Sequence, residues 1–201
     1  SNDGTLDIIK KYENEIDYWV SEKDNGIYDA MNKGIEVASG EWINFMNAGD
    51  KLLFIPSLNQ IKKINLIYGK VLLSNKKIFD YKKNLIFKDF ARGMVVCHQT
   101  CFYHKNYYKQ SKYDLTYKLC ADQKFTALSI KSNKALYIDE ILAYYDLNGI
   151  SSQNDLKILI EKYQLNHELK LNLFEPIVSF LITKIVRIRD YFRNYGKKET
   201  L

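Results

Sequence analysis

Between Ile27 and Ala38, apolar or small residues recur as Ile27, Ala30, Met31, Gly34, Ile35 and Ala38. Spacings of i, i+3, i+4, i+7, i+8 and i+11 make one continuous helical stripe. Asp24-Asn25-Gly26 in front of it reads as a turn in which either polar residue can cap the helix, and Gly40 behind it suits a left-handed C-terminal cap. A short apolar run follows: Trp42, Ile43, Phe45 and Met46 predict a buried strand that opens at once into Asn47-Ala48-Gly49-Asp50. Upstream, Thr5 caps a first predicted helix with Leu6, Ile8, Ile9 and Tyr12 on or near its buried side. Tyr18, Trp19 and Val20 predict a short strand. Strand, helix and strand with short joints predict a βαβ unit in a parallel sheet.

The middle of the chain changes character. Pro56 suits the start of a short helix. Residues 66–73 and 76–82 predict two strands of a hairpin around Ser74-Asn75. Another apolar run, 95–103, is interrupted by His98-Gln99-Thr100. A helix is predicted over 122–130 with Phe125, Leu128 and Ser129 turned inward, then short strands over 136–138 and 142–145 and a turn at Asn148-Gly149. From Asp155 the pattern is helical to the end. Leu156, Leu159, Ile160 and Tyr163 form one stripe; Pro176 opens a second helix with Ile177, Val178, Leu181, Ile185, Ile188 and Phe192 apolar. The organisation predicted is a domain over 1–152 and a helical, amphipathic and basic extension over 153–201.

Composition narrows the classes. With 201 residues, 46% hydrophobic and 27% charged, the chain has the make-up of a globular protein able to bury a core. Sixteen Tyr and ten Phe fit either stacking on sugars and bases or a large aromatic core. The net charge of +6 is concentrated late, at Lys184, Arg187, Arg189, Arg193, Lys197 and Lys198. A basic amphipathic helix there can meet a membrane interface, pack on its own domain or pack on a second copy. Nucleic-acid binding is disfavoured, because it needs a basic stripe across the folded domain with aromatics between. Cys97, Cys101 and Cys120 make an odd count, suited to a reduced, cytoplasmic setting. Cys97-His98 with Cys101 lacks a second pair at zinc-finger spacing.

The chemistry gathers at the ends of elements. In open α/β sheets ligands sit beyond the carboxyl ends of the strands. Asn47–Asp50 occupies that end of its strand, and Gly49 gives the backbone freedom to aim Asp50.

The run from Ser21 to Asp50, "SEKDNGIYDAMNKGIEVASGEWINFMNAGD", resembles the inverting family-two glycosyltransferases of the GT-A fold, most of all those that build bacterial surface polysaccharides. "VCHQTCFYHKNYY" (96–108) is similar to that family's acceptor-side strand, "YDLTYKLCADQKFTALSI" (113–130) to the segment with its catalytic acid-base residue, and "ILAYYDLNGIS" (141–151) to the sequence closing its domain. The resemblance covers about residues 1 to 151. It implies an α/β fold: a truncated GT-A mixed sheet flanked by helices, with a C-terminal helical extension. It implies transfer of a sugar, with inversion, from a nucleotide-diphosphate donor, uridine-linked, to a saccharide or lipid-linked acceptor. A divalent ion, Mn²⁺ or Mg²⁺, would be held at Asp50 with Asn47, largely through diphosphate and water, because the family's further acids are replaced here by Asn47 and Gly49.

By the same resemblance Asp122 in "CADQ" is the general base, and His98 and Gln99 line the acceptor or diphosphate side. Tyr28, Asp29, Asn32 and Lys33 flank the nucleotide, with Met31 where many relatives carry arginine. Ser1-Asn2-Asp3-Gly4-Thr5 resembles the tail of a turn that relatives reach only after a strand, a helix and a second strand. The expectation is therefore a fragment of a longer protein, or a gap covered by another chain, with Asp3 the remnant of the nucleotide pocket and weak nucleotide binding by this chain alone. The expected setting is cytoplasmic, peripheral at the inner face of the membrane. The alternative function is a binding or assembly protein that keeps the fold without turnover.

Overall fold

A computed structural model describes residues 3–58, 61, 63–147 and 155–195, with the backbone alone for 155 and 186–195. One mixed sheet organises it. Its strands are β1 (Trp42–Asn44), β2 (Lys51–Leu52), β3 (Ile64–Leu73), β4 (Ile78–Phe79), β5 (Phe102–His104) and β6 (Lys134–Tyr145), in the order β1-β5-β3-β6-β2 with β4 paired to β3. Helices α1 (Thr5–Lys11), α2 (Ile27–Val37), α3 (Lys105–Tyr108), α4 (Ala121–Ser129), α5 (Asp155–Glu168) and α6 (Glu175–Tyr195) flank it. This is the mixed sheet with flanking helices that the resemblance implies.

The parallel pairing lies elsewhere than the βαβ reading placed it. Residues 18–20 form no strand: Tyr18 and Val20 are exposed, and the Trp19 indole N–H donates to Glu13 Oε1 at 3.1 Å. β1 instead pairs antiparallel with β5, Ile43 opposite Tyr103. The parallel ladder is β3 with β6, running from Ile64↔Lys134 to Leu73↔Tyr145. The two short strands expected over 136–145 are one strand with an irregularity. Gly69 faces Ile138 while Lys70 faces Ile141, so Asp139 and Glu140 bulge out of the ladder and Asp139 ion-pairs with Lys70 at 2.6 Å. The hairpin at Ser74-Asn75 is present, but its return strand is only Ile78–Phe79.

Helix ends differ from the expected caps. Gly4 takes the N-cap position of α1, and Thr5 gives both its N–H and its hydroxyl to the Asp3 carboxylate, at 3.2 and 2.6 Å. None of α1 is buried; Ile8 and Tyr12 are exposed. Gly26, at φ 118°, is the N-cap of α2, and α2 ends at an extended Ala38 rather than on a left-handed Gly40. Pro56 is buried and starts no helix over 56–58. The Asn148-Gly149 turn lies outside the described residues.

The core is aromatic. Tyr68, Tyr103, Tyr108, Tyr113, Phe90 and Phe125 are fully buried around α2, α4 and one face of the sheet. The face of α2 that enters it is Tyr28, Met31 and Ile35, while Ile27 stays exposed. Helix α5 and the turn after it contribute Leu165 and Leu169 to the same core; the predicted stripe of Leu156, Ile160 and Tyr163 faces out.

Gly69 is buried where β3 meets the bulge of β6. A Cβ there would stand 2.8 Å from both the Ile138 carbonyl oxygen and the Leu142 side chain. Backbone cannot give way as a flexible side chain does, so Gly69→Ala is expected to lower stability by about 1–3 kcal/mol. Urea unfolding followed by circular dichroism measures it. A midpoint equal to that of the wild type would show that the strand pair is not this close.

Candidate active site

Two partly exposed carboxylates, Asp50 and Asp122, both act on residues of one buried turn. That turn is the single 3₁₀ turn His98–Thr100, all three residues buried, leading into β5. Its position is fixed by β1: the Asn44 side-chain amide donates to the carbonyls of Gln99 and Cys101, both at 2.9 Å. Thr100 closes it by donating its hydroxyl to the Cys97 carbonyl at 2.8 Å.

Asp50 is the first of the two. The strand β1 ends at Asn44, and Asn47–Asp50 makes the expected turn, with the Asp50 N–H donating to the Asn47 carbonyl at 3.1 Å and Gly49 at φ 90°. A positive φ of this kind costs glycine little. Gln99 Nε2 donates to Asp50 Oδ2 at 2.7 Å, and the backbone N–H of Asp146 donates to Asp50 Oδ1 at 2.8 Å. Gln99 is oriented in turn by the Cys97 thiol, which donates to Gln99 Oε1 at 3.0 Å.

Asp122 is the second, in the first turn of α4. Both of its hydrogen bonds fall on Oδ1, from the Tyr28 hydroxyl at 3.1 Å and from its neighbour's N–H on Gln123 at 2.8 Å. Oδ2 accepts none from the described residues. Tyr28 is buried on the inner side of α2 and gives its hydroxyl to Asp122 rather than to open solvent. Burial first, and then the charge on Asp122, push the Tyr28 hydroxyl well above the usual phenol range, so it stays a proton donor.

Tyr113 joins the two halves. Its ring stacks on Tyr28 at 5.5 Å and on Phe125 at 4.3 Å, and its hydroxyl lies 3.4 Å from His98 Nε2. Asn32 holds its backbone at both ends: Asn32 Nδ2 donates to the Tyr113 carbonyl at 2.9 Å, and the Tyr113 N–H donates to Asn32 Oδ1 at 2.7 Å. The thiol of Cys97 feels both carboxylates. Burial pushes it up to about 12, and Asp50 and Asp122 both add to the rise against backbone hydrogen bonds that lower it.

The remaining predicted residues sit further out. Lys33 is ion-paired with Glu22 at 2.6 Å, Asp29 accepts from the Asn25 N–H at 2.9 Å, and Asp3 serves Thr5. Sequence reasoning passed over Asn44, Tyr113 and Asp146. All three lie inside segments that carried the resemblance, but only the fold shows that they serve the site.

The family model "Glycosyl transferase family 2" matches residues 1–133. The chain belongs to glycosyl transferase family 2. Similar proteins include "PGL/p-HBAD biosynthesis glycosyltransferase" of Mycobacterium bovis (strain BCG / Pasteur 1173P2) and its namesake in Mycobacterium tuberculosis (strain ATCC 25177 / H37Ra). Each is 28% identical over 198 residues, covering 89% of this chain and 75% of the relative. "Uncharacterized glycosyltransferase MT1564" of M. tuberculosis (strain CDC 1551 / Oshkosh) is 28% identical over 169 residues, covering 77% of this chain and 63% of its own length.

A glycosyltransferase takes its sugar from a nucleotide-sugar donor and hands it to an acceptor, so an anionic leaving group has to be met at the site. Among the described residues no group of three or more His, Cys, Asp or Glu side chains could hold a metal ion. At the Asn47–Asp50 turn the glycosyltransferase offers the Asp50 carboxylate, and the Asp146 carboxylate alongside: a Cβ on Gly49 would stand 3.5 Å from Asp146 Oδ2. Such a sparse oxygen set fits a hard cation that brings phosphate and water as its other ligands.

His98 supplies a pH test. Its burial holds the imidazole below its ordinary value, with the charge on Asp122 opposing, so the folded protein keeps it neutral. Unfolded, it takes up a proton near pH ~6.5, and the stability tied to the neutral ring is lost as pH falls below that point. Urea unfolding between about pH 7.5 and 5.5 should show a smaller loss for His98→Phe than for the wild type. Equal losses in the two proteins would mean that His98 takes up its proton as readily folded as unfolded.

Proposed function

We propose that this glycosyltransferase transfers sugar with inversion from a uridine-diphosphate donor to a saccharide or lipid-linked acceptor in surface-polysaccharide biosynthesis, with Asp122 as general base. The reading rests above all on one observation: among the described residues Asp122 accepts hydrogen bonds on Oδ1 alone, and its charge and that of Asp50 both reach the Cys97 thiol. On this reading one carboxylate takes the proton and the other serves the diphosphate.

The chemistry follows from that division. The acceptor oxygen attacks the anomeric carbon from the face opposite the leaving group. Its O–H bond breaks and the proton passes to Asp122 Oδ2; the new C–O bond forms as the bond from the anomeric carbon to the phosphate oxygen breaks, and the diphosphate leaves with the electron pair. Tyr28 holds the carboxylate in place through Oδ1. Asp50 and Asn47 would hold a divalent ion, Mn²⁺ or Mg²⁺, which would supply positive charge opposite the diphosphate. Gln99 fixes Asp50 on that side, and His98 backs the wall towards the acceptor. The nucleotide lies along the start of α2 by Asp29 and Lys33, with Asp3 at the same end of the chain; Tyr28 and Asn32 act there through Asp122 and Tyr113.

Asp122→Asn tests the assignment. UDP release from a panel of UDP-sugars should fall about 10²–10⁴-fold, with calorimetric binding of UDP and Mn²⁺ unchanged. Turnover equal to the wild type would remove Asp122 from the base role. Binding of UDP with no turnover by the wild type would favour a protein that binds without catalysing.

The acceptor reading includes a membrane. On α6 the exposed side is apolar: Ile177, Val178, Leu181, Ile182 and Ile185 are each 41% exposed or more, while Pro176 is buried against the body. The sequence continues with Ile188 and Phe192 at the same spacing and with Arg187, Arg189 and Arg193 between. No helix among the described residues is long and apolar enough to cross a membrane. We place this face on an anionic bilayer surface, where apolar side chains enter the headgroup boundary and the basic ones meet lipid phosphates. The protein should sediment with phosphatidylglycerol vesicles, less so at high salt or as Leu181→Asp/Ile185→Asp. A protein that stays in the supernatant and forms a dimer would show that a second copy covers the face.

A further inference from the structure

Helix α4 carries Asp122 but has no side-chain cap of its own. Cys120 stands at its N-cap position and makes no capping hydrogen bond. The bend before the helix, 118–120, turns successive backbone N–H groups towards one acceptor on α5. Lys118 N–H donates to Glu161 Oε1 at 2.9 Å, and the Leu119 and Cys120 N–H groups donate to Glu161 Oε2 at 2.9 and 3.0 Å. Successive amides arranged like this select an anion, and a carboxylate at a helix N-terminus also meets the positive end of the helix dipole. Hydrogen bonds to a charged acceptor are the stronger kind. A second tie lies one turn along. Lys124 is ion-paired with Asp114 and with Glu168 of α5, both at 2.5 Å, and Tyr117 donates its hydroxyl to Glu168 at 2.8 Å.

Asp122 is two residues beyond the last of the three gripped amides. The direction of its side chain is set by the backbone at 120 and 121, and hence by what holds that backbone. We infer that Glu161 is a positioning residue of the transferase: by binding the amides of 118–120 it fixes how α4 enters the site and so aims Asp122 at the acceptor. The inference rests on the reading of Asp122 as base. It makes α5, outside the segment matched to the family, a working part of the site.

The ionisable groups around Asp122 come from several elements. Tyr28 faces it from α2, and Cys97, His98 and Cys101 from the buried turn and its two flanking residues. Tyr113 and Cys120 face it from the segment before α4, and Cys120 is in turn flanked by Glu161 and Lys162 of α5. A change at Glu161 that re-aims Asp122 therefore changes its distance to all of them, and the titration of Asp122 reports it.

Carbon-13 NMR of aspartate-labelled protein follows the Asp122 carboxyl, assigned by its disappearance in Asp122→Asn. In Glu161→Ala the resonance should move and its titration midpoint shift. In Glu161→Gln, which keeps a carbonyl acceptor, both changes should be smaller but present. For release of UDP from a UDP-sugar, kcat should fall about ten- to a hundredfold in Glu161→Ala with KM unchanged. A folded Glu161→Ala or Glu161→Gln protein with the wild-type Asp122 resonance and midpoint overturns the inference; should the alanine variant fail to fold, the glutamine variant alone decides. Wild-type turnover by Asp122→Asn would instead remove the base reading, and the NMR result would still judge Glu161.

Discussion

The hydrogen bond from Gln99 to Asp50 is the joint on which the site turns. Gln99 is buried in a turn of three residues that β1 grips through Asn44, so Asp50 is tied not to its own flexible loop but to the sheet. The same turn presents His98 to Tyr113, and Tyr113 stacks on the Tyr28 that holds Asp122. A buried, fully oriented amide carries this connection well, because breaking it strands polar groups in the core. The two carboxylates are separated by 72 positions in sequence yet are referred to one rigid wall.

That wall explains the use of aromatics. Tyr103, Tyr113 and Phe125 pack edge-on and stacked behind His98, and tyrosine hydroxyls then reach the polar groups that such a core would otherwise orphan: Tyr103 meets Thr126, and Tyr107 the Phe125 carbonyl. The tyrosine excess is thus mainly core. The helices at the end of the chain divide in the same terms. α5 and the turn after it enter the core with Leu165 and Leu169, and α5 grips α4 with Glu161 and Glu168, whereas α6 turns its apolar side outward.

Local pattern made much of this legible. The spacing of Met31 and Ile35 marked α2, the apolar run of Leu66 to Leu73 marked β3, and the Asn47–Asp50 turn was where the sequence placed it. Pairing was not legible, because it is decided by partners distant in sequence. Tyr18–Val20 has strand-like residues but no strand beside it, and β1 found β5 instead. Tyr28 looked polar because its hydroxyl is the visible feature; its ring area made it core, with the hydroxyl satisfied by Asp122. On α5 the alternation of Leu156 and Ile160 suggested a buried stripe, but the face that docks carries Glu161 and Asn166, whose charge and amide bind backbone. Glu161 and Asn166 interrupt the apolar series of Ile158, Leu165 and Leu169 on that face, so the more regular outward series was the one that stood out.

The central claim is spatial: a donor sits with its diphosphate at Asp50 and its anomeric carbon open to Asp122. A crystal structure of the protein with Mn²⁺ and a non-hydrolysable UDP-sugar measures it directly. The account predicts phosphate oxygens and metal beside Asp50, and Asp122 Oδ2 on the face of the sugar away from the diphosphate. A donor bound elsewhere, or a sugar whose open face points away from Asp122, would contradict it.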